Sequence, residues 1–181
     1  VKIVFNLRIM DAMSQSDLLQ EAVIPSPFGS VVIRFDQTGR LARIDLCSIS
    51  APSCCSSRAK NLANSIEAYL MQASLLQVDV TAILEKLDDG TAFQRRVWQA
   101  IAQIPSGSVM SYQDLAHKVA SGARAVANAC GANPLPILIP CHRVVAARGL
   151  GGFMQGSPEG LAIKQWLLQH EGVNDGYRLA S

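Results

Sequence analysis

No apolar run in this 181-residue chain reaches the roughly 18 uncharged positions that a membrane span needs, which excludes a helix-spanning membrane protein. The opening Val1-Lys-Ile-Val-Phe-Asn-Leu-Arg8 is apolar but too short and too interrupted for a secretory signal, and a start at Val1 rather than Met reads as a trimmed end. Cys-x-x-Cys pairs are missing. The five cysteines (Cys47, Cys54, Cys55, Cys130 and Cys141) are odd in number, and adjacent Cys54 and Cys55 lack zinc-ligand spacing. No structural metal and no cofactor are expected, and reduced thiols in a cytoplasmic compartment are the reading. Excess charge is also scarce: a net +2 argues against a purely electrostatic nucleic-acid binder.

The distribution of charge says more than its sum. Residues 1–90 carry 8 Lys/Arg against 10 Asp/Glu, and residues 151–181 carry 2 against 3. Residues 91–150 carry 6 basic side chains against one acidic, Asp114. A polyanion would be drawn to this middle block, where most of the chemically suggestive residues also lie.

The N-terminal half reads as a small α+β unit. After a polar lead-in with one short apolar strand over residues 1–20, Ile24-Pro-Ser-Pro-Phe-Gly29 signals a turn. Residues 30–35 and 41–46, joined by Asp36-Gln-Thr-Gly39, form a hairpin by pattern. Residues 48–57 read as a loop of small residues, 59–73 have helical spacing, and 75–87 suggest one or two further strands. The unit ends near Asp88-Asp89-Gly90.

The second half reads as helical. Thr91 caps a helix through Phe93, Val97, Trp98 and Ile101, and Pro105-Ser-Gly107 closes it. Ser111 caps a second helix over 112–119, Ser121-Gly122 turns the chain, and a third, Ala-rich helix covers 123–132. That is a helix-turn-helix pattern, although any helical hairpin produces the same signal. Residues 133–140, studded with prolines, read as an extended, buried connection that delivers Cys141 rigidly. Glycines at 149, 151, 152 and 156 make a tightly turned or mobile loop. A last amphipathic helix covers 161–170, with Leu161, Ile163, Trp166 and Leu167 as core candidates.

Cys141 precedes a basic pair, His142-Arg143. Adjacent positive charge lowers a thiol pKa and favours the nucleophilic thiolate; a buried structural cysteine is the competing reading. Consecutive side chains diverge in regular structure, so a direct thiol–imidazole bond is awkward and a bridging water is easier. His142 then needs a carboxylate to orient it. Glu171, just after the last helix, is a candidate whose approach to His142 the sequence leaves open.

The run Asn133-Pro-Leu-Pro-Ile-Leu-Ile-Pro-Cys-His-Arg-Val144 resembles the active-site signature of the O6-alkylguanine-DNA alkyltransferases, or methylated-DNA–protein-cysteine methyltransferases. Four more blocks fall in the family's order: Gly90-Thr-Ala-Phe-Gln-Arg-Arg-Val-Trp98, Ser111-Tyr-Gln-Asp-Leu-Ala116, Ala123-Arg-Ala-Val126 and Leu161-Ala-Ile-Lys-Gln-Trp-Leu-Leu-Gln-His-Glu-Gly172. The resemblance covers about residues 88–172. It implies an α+β fold: a small ribonuclease-H-like α/β domain over 1–88, then a mostly helical domain over 89–181 with a helix-turn-helix.

The resemblance also implies a reaction: irreversible, single-turnover transfer of the alkyl group of O6-alkylguanine, and of O4-alkylthymine, to Cys141. His142 and Glu171 would complete a Glu–His–water–Cys relay, and Asn133 would tie the recognition helix to the active-site segment. Arg124 would fill the stack left by the flipped nucleotide. Tyr112 would turn the phosphate and donate a proton to guanine N3. The carbonyls of Cys141 and Val144 would accept from the guanine 2-amino group. Gln94, Gln113, Ala123 and Ala125 would complete the DNA surface, and Val144, Phe153 and Met154 the substrate pocket. The implied partner is double-stranded DNA bearing O6-alkylguanine, bound by a monomer that is nucleoid-associated in a bacterium or nuclear in a eukaryote.

An Ala-rich recognition helix offers few base-reading side chains, which suits scanning of any sequence through the minor groove. Three features depart from the family pattern: a shortened turn at 119–123, Met154 where some members have Ser or Arg, and an apparent insertion at 157–159. Three other functions compete. A related lesion sensor would lack the nucleophilic cysteine, a helix-turn-helix regulator would use Cys141 structurally, and a thiol hydrolase would need an oxyanion loop that is not evident.

Overall fold

The computed structural model describes residues 19–73, 76, 78–87 and 89–173. Most of the polar lead-in and the end of the chain after 173 lie outside them. Strands β1 (Leu19–Ser26), β2 (Gly29–Phe35), β3 (Leu41–Cys47) and β4 (Cys54–Cys55) form an antiparallel sheet in the order β3-β2-β1-β4. The β2–β3 hairpin matches the sequence pattern. The first turn is tighter than expected: Ile24, Pro25 and Ser26 stay in β1, paired with Val31, Ser30 and Gly29. Gly29 takes φ +133°, and a Cβ there would lie 2.3 Å from the Cys47 carbonyl oxygen, so the position requires glycine. The loop expected over 48–57 contains β4, a two-residue edge strand antiparallel to β1.

Helix α1 (Lys60–Met71) buries Ala63, Ile66 and Tyr69. The strands expected between 75 and 87 are not found in the described part. Residues Val80–Lys86 form helix α2, because the Asp79 side chain accepts from the Ala82 amide and caps a first turn. A local cap decides the structure of a segment too short for apolar spacing to do so.

The helical half follows the sequence closely. Helix α3 (Ala92–Ala102) opens with a full capping box: the Gln94 amide donates to Thr91 Oγ1 and the Thr91 amide to Gln94 Oε1. Strand β5 (Met110–Ser111) leads straight into α4 (Tyr112–Lys118), capped by Ser111, and α5 (Ala123–Gly131) follows after a short turn. Ala120 closes α4 in the left-handed region at φ +50°, with the Ser121 amide bonded to the Ala116 carbonyl. Helix α6 (Pro158–His170) begins earlier than expected: Ser157 caps it and Pro158 holds its first turn, so residues 157–159 serve as a helix start.

One hydrophobic core joins the two halves, running from Val31 and Ile33 of the sheet through Ile66 to Trp98, Leu115, Ile139 and Leu167. The Trp98 indole N–H donates to the Ala129 carbonyl at 2.9 Å and ties α3 to α5. The Ile44 amide donates to the Pro134 carbonyl, so the sheet also holds the segment leading to Cys141. Among the described residues no helix is long and apolar enough to cross a membrane.

Candidate active site

Two short strands bring the site together. β5 pairs in parallel with β6 (Val144–Val145), Met110 beside Val144 and Ser111 beside Val145. Tyr112 follows β5 and Cys141–Arg143 precede β6, so residues thirty positions apart in sequence arrive side by side. Cys141–Arg143 form a single 3-10 turn.

The proline-rich approach to that turn is buried as expected, but it is not extended. The Ile139 amide donates back to the Leu135 carbonyl at 2.8 Å, and Ile137 sits at φ +74°, in the left-handed region that a β-branched residue rarely adopts. The prolines forbid helix continuation, and the chain turns instead. Asn133 governs this turn: its Oδ1 accepts from the Leu135 amide, and its Nδ2 donates to the Ile139 carbonyl at 2.8 Å and to Cys141 Sγ at 3.0 Å. Asn133 therefore links the end of α5 to the thiol directly.

Behind the turn lies a buried polar cluster centred on Glu171. His142 Nε2 lies 3.1 Å from Glu171 Oε1, with both side chains fully buried. Arg143 donates through Nε to Oε2 and through a terminal nitrogen to Oε1, each at 2.8 Å, and through its other terminal nitrogen to the Ile104 carbonyl. The Tyr69 hydroxyl donates to Oε1 at 2.8 Å. Burial alone would raise the Glu171 pKa, but bonds from His142 and Arg143 outweigh it and hold the carboxyl well below the usual range. Burial pushes the His142 pKa down despite Glu171, so its imidazole is neutral at rest. Its Nδ1 is buried without a hydrogen-bond partner among the described residues.

The idea that a basic pair lowers the Cys141 pKa needs correction. Arg143 spends its charge on Glu171, His142 is neutral, and burial pushes the thiol up although Asn133 and Lys164 oppose it. The resting sulfur is a protected thiol, and a base must take its proton when it reacts.

Lys164 is not among the residues that the sequence singles out. It is fully buried. Its Nζ donates to the carbonyls of Val144 at 2.7 Å and Gly152 at 3.1 Å, and lies 5.8 Å from the Tyr112 ring centre and 6.0 Å from that of Phe153. Burial lowers its pKa to about 8, against the opposing influence of Cys141 and Cys130. The retrospective clue is its spacing: position 164 falls three residues from both Leu161 and Leu167, on the apolar stripe. Sequence reasoning likewise misses Tyr69 and Arg143 as partners of Glu171, because no local pattern joins residues 102 and 28 positions apart.

The remaining expected residues fall around this centre. Tyr112 is half-buried, donates to the Gly152 carbonyl at 3.2 Å, and has its phenol pKa raised by burial. Gly151 at φ +68° packs on that ring, where a Cβ would lie 2.8 Å from Tyr112 Cε2. Phe153 is buried and Met154 exposed at φ +45°, at the loop that faces α6. The Val144 side chain is buried in the core, so this residue meets the site through its carbonyl, one lone pair of which Lys164 engages.

On the outer face, Arg124 and Ala125 are exposed near the start of α5, and Ala123 is half-buried. The Arg124 side chain makes no hydrogen bond or ion pair among the described residues. Gln113 is exposed beside His117. Gln94 and Ala125 line opposite sides of an open groove of about 260 Å³ between α3 and α5. Gln94 Oε1 is occupied by the capping box, which leaves its amide N–H groups for other contacts. Among the described residues no three His, Cys, Asp or Glu side chains are grouped as metal ligands.

The family model for the DNA-binding domain of 6-O-methylguanine DNA methyltransferase matches residues 92–173. A protein named as a probable methylated-DNA–protein-cysteine methyltransferase from Acanthamoeba polyphaga mimivirus is 38% identical over 154 residues, covering 84% of this chain and 96% of that one. The methylated-DNA–protein-cysteine methyltransferase of Salmonella typhimurium is 50% identical over 91 residues, 49% of this chain and 52% of the relative. The match thus spans about half the length of that relative. The crystal structure of Mycobacterium tuberculosis O6-methylguanine methyltransferase superposes with TM-score 0.65 at 28% identity, over 90% of this chain and 97% of that one. The M. tuberculosis protein in complex with DNA gives 0.60 at 33%, over 82% and 90%. The chain belongs to the methylated-DNA–protein-cysteine methyltransferase family.

Proposed function

We propose that this protein repairs O6-alkylguanine, and O4-alkylthymine, in double-stranded DNA by moving the alkyl group irreversibly onto Cys141, acting as a monomer. The observation that carries this reading is the buried Glu171–His142 pair, whose unpartnered Nδ1 belongs to the residue next to an Asn133-held thiol.

A water between Cys141 and His142 Nδ1 passes the thiol proton to the imidazole, and Glu171 stabilises the imidazolium through Nε2–H. The thiolate sulfur attacks the alkyl carbon, an S–C bond forms, and the C–O6 bond breaks with its electron pair going to guanine. Tyr112, kept neutral by burial, donates its phenolic proton to N3 of the leaving base. A thioether has no leaving-group route back to a thiol, so each molecule reacts once.

The target atom is paired inside a duplex, so the nucleotide must leave the stack. Arg124, exposed on α5 and unpaired among the described residues, fills the gap. Gly122 leaves the N-terminus of α5 without a side-chain cap, and its free amides suit a backbone phosphate. Small residues at 123 and 125 permit close approach to the groove, with Gln94 and Gln113 at its margins.

The test is chemical. A duplex carrying O6-[14C]methylguanine is incubated with the protein, which is then digested and mapped. Label on the Cys141 peptide is the expected result. Tight binding to the lesion without transfer would replace this reading with that of a sensor.

A further inference from the structure

We infer that the Tyr69 hydroxyl, supplied by α1 of the sheet-bearing half, is a positioning group of the transfer reaction: by sharing Glu171 Oε1 with His142, it limits how strongly the carboxylate holds an imidazolium and keeps His142 free to accept a proton. The inference rests on the relay set out above.

Glu171 Oε1 takes three donors: Tyr69 Oη at 2.8 Å, a terminal Arg143 nitrogen at 2.8 Å and His142 Nε2 at 3.1 Å. A carboxylate oxygen has two lone pairs, so three donors compete for it, and the imidazole holds the longest of the three bonds. Removing the phenol donor strengthens the bond to His142, and strengthens it more when the ring is charged. Tyr69 is fully buried, and its own carbonyl is engaged by His170 Nε2. His170 stacks on Trp166 at 4.6 Å and meets the Tyr69 ring edge-on at 5.4 Å. The phenol is thus gripped from α6 and cannot swing away from the carboxylate.

The charged and titratable groups around the His142–Glu171 pair are Tyr69 from α1, Cys141 and Arg143 from the 3-10 turn, and Lys164 from α6. Arg143 and Lys164 both disfavour a second positive charge on His142. Tyr69 acts in the same direction without carrying charge. Burial and the neighbouring carboxylate keep the phenol protonated, so it remains a donor across the working range.

The proton balance fixes the sign. Transfer requires the Cys141–His142 pair to hold one proton between them, and protonation of the neutral imidazole stops the reaction. The acid limb of the rate profile therefore reports the His142 pKa. In Tyr69→Phe that pKa rises, the limb moves up by about 0.5–1 unit, and transfer below the midpoint slows by about 3- to 10-fold while the alkaline plateau stays within about twofold. A phenol made more acidic does the reverse, so difluorotyrosine introduced at position 69 moves the limb down.

Single-turnover transfer from an O6-methylguanine duplex is measured against pH for wild type, Tyr69→Phe and the difluorotyrosine protein, alongside thermal melting. Shifts of opposite sign in the two variants are the expected result. Profiles that overlay wild type, or that fall equally at every pH together with the melting temperature, would overturn the inference. If Tyr69→Phe does not fold, the near-isosteric difluorotyrosine protein decides alone. The His142 ring is also titrated by NMR in Cys141→Ser protein with and without Tyr69→Phe. An upward shift there, with no transfer by wild type, would mean that Tyr69 tunes His142 and that the proposed reaction is wrong.

Discussion

At Cys141 the resting state and the reacting state make opposite demands. A thiol at the end of a buried turn is protected from adventitious electrophiles, because burial keeps it protonated. In the proposed relay the base that takes its proton is itself buried and neutral, and it is bonded to a carboxylate anchored by Arg143. His142→Ala and Glu171→Gln should therefore slow transfer by about 10²- to 10⁴-fold, while leaving affinity for duplex DNA within about twofold. Single-turnover rates and a binding isotherm check this, and a parallel loss of both would assign the two residues to folding. Arg124 is predicted to behave in the opposite way. Arg124→Ala should damage reaction with a lesion in duplex DNA far more than reaction with free O6-alkylguanine base, which needs no flipping. Lys at this position keeps the charge without the planar face, so rescue should be partial. Equal defects on both substrates would remove the stacking role.

At the scale of elements, caps decide more than apolar spacing does. Thr91 with Gln94, Ser111 and Ser157 each cap the start of a helix that carries residues of the candidate site. The turn between α4 and α5 holds a residual strain. Ala120 lies in the left-handed region, where an L side chain costs about 1–2 kcal/mol and glycine costs unfolded-state entropy instead. Ala120→Gly should stabilise the protein by up to about 1 kcal/mol without changing transfer, as read by denaturant unfolding; destabilisation would show that the Ala120 methyl packs usefully.

The helix-turn-helix was legible because its signals are local, a cap and a glycine; the run of prolines marked the approach to Cys141 as non-helical and buried but not as a chain that turns back on itself. Helix α2 was misread as strand because Asp79 is a single-residue signal in a short segment. The start of α6 at Pro158 read as an insertion because a Ser-Pro pair marks loops as often as helix starts. The Glu171 cluster was legible only through resemblance. Tyr69, Arg143 and Lys164 reach their partners across 102, 28 and 20 residues, and nothing in a linear pattern pairs them.

Over the whole molecule, the basic middle block presents less charge than its composition suggests. Of its six cations, Arg143 is buried against Glu171 and Arg95 is half-buried on the Gly90 carbonyl. Arg96, Lys118, Arg124 and Arg148 are exposed. With four cations available to phosphates, the slope of log affinity against log salt should be no steeper than about −4. A markedly steeper slope would place DNA on a wider surface than these four side chains provide. The one core shared by both halves also ties the sheet-bearing half to the candidate site, through the Ile44 amide on the Pro134 carbonyl and the Tyr69 hydroxyl on Glu171.

The central claim is that Cys141 is consumed by a single alkyl transfer. The direct measurement is a titration of a fixed amount of protein with excess O6-methylguanine duplex, followed to completion by intact-mass spectrometry and counting of repaired DNA. The account predicts one repaired base per active molecule, a mass gain of one methyl group on Cys141, and no reaction in Cys141→Ser. Continued repair beyond one equivalent, or transfer in Cys141→Ser, would contradict it.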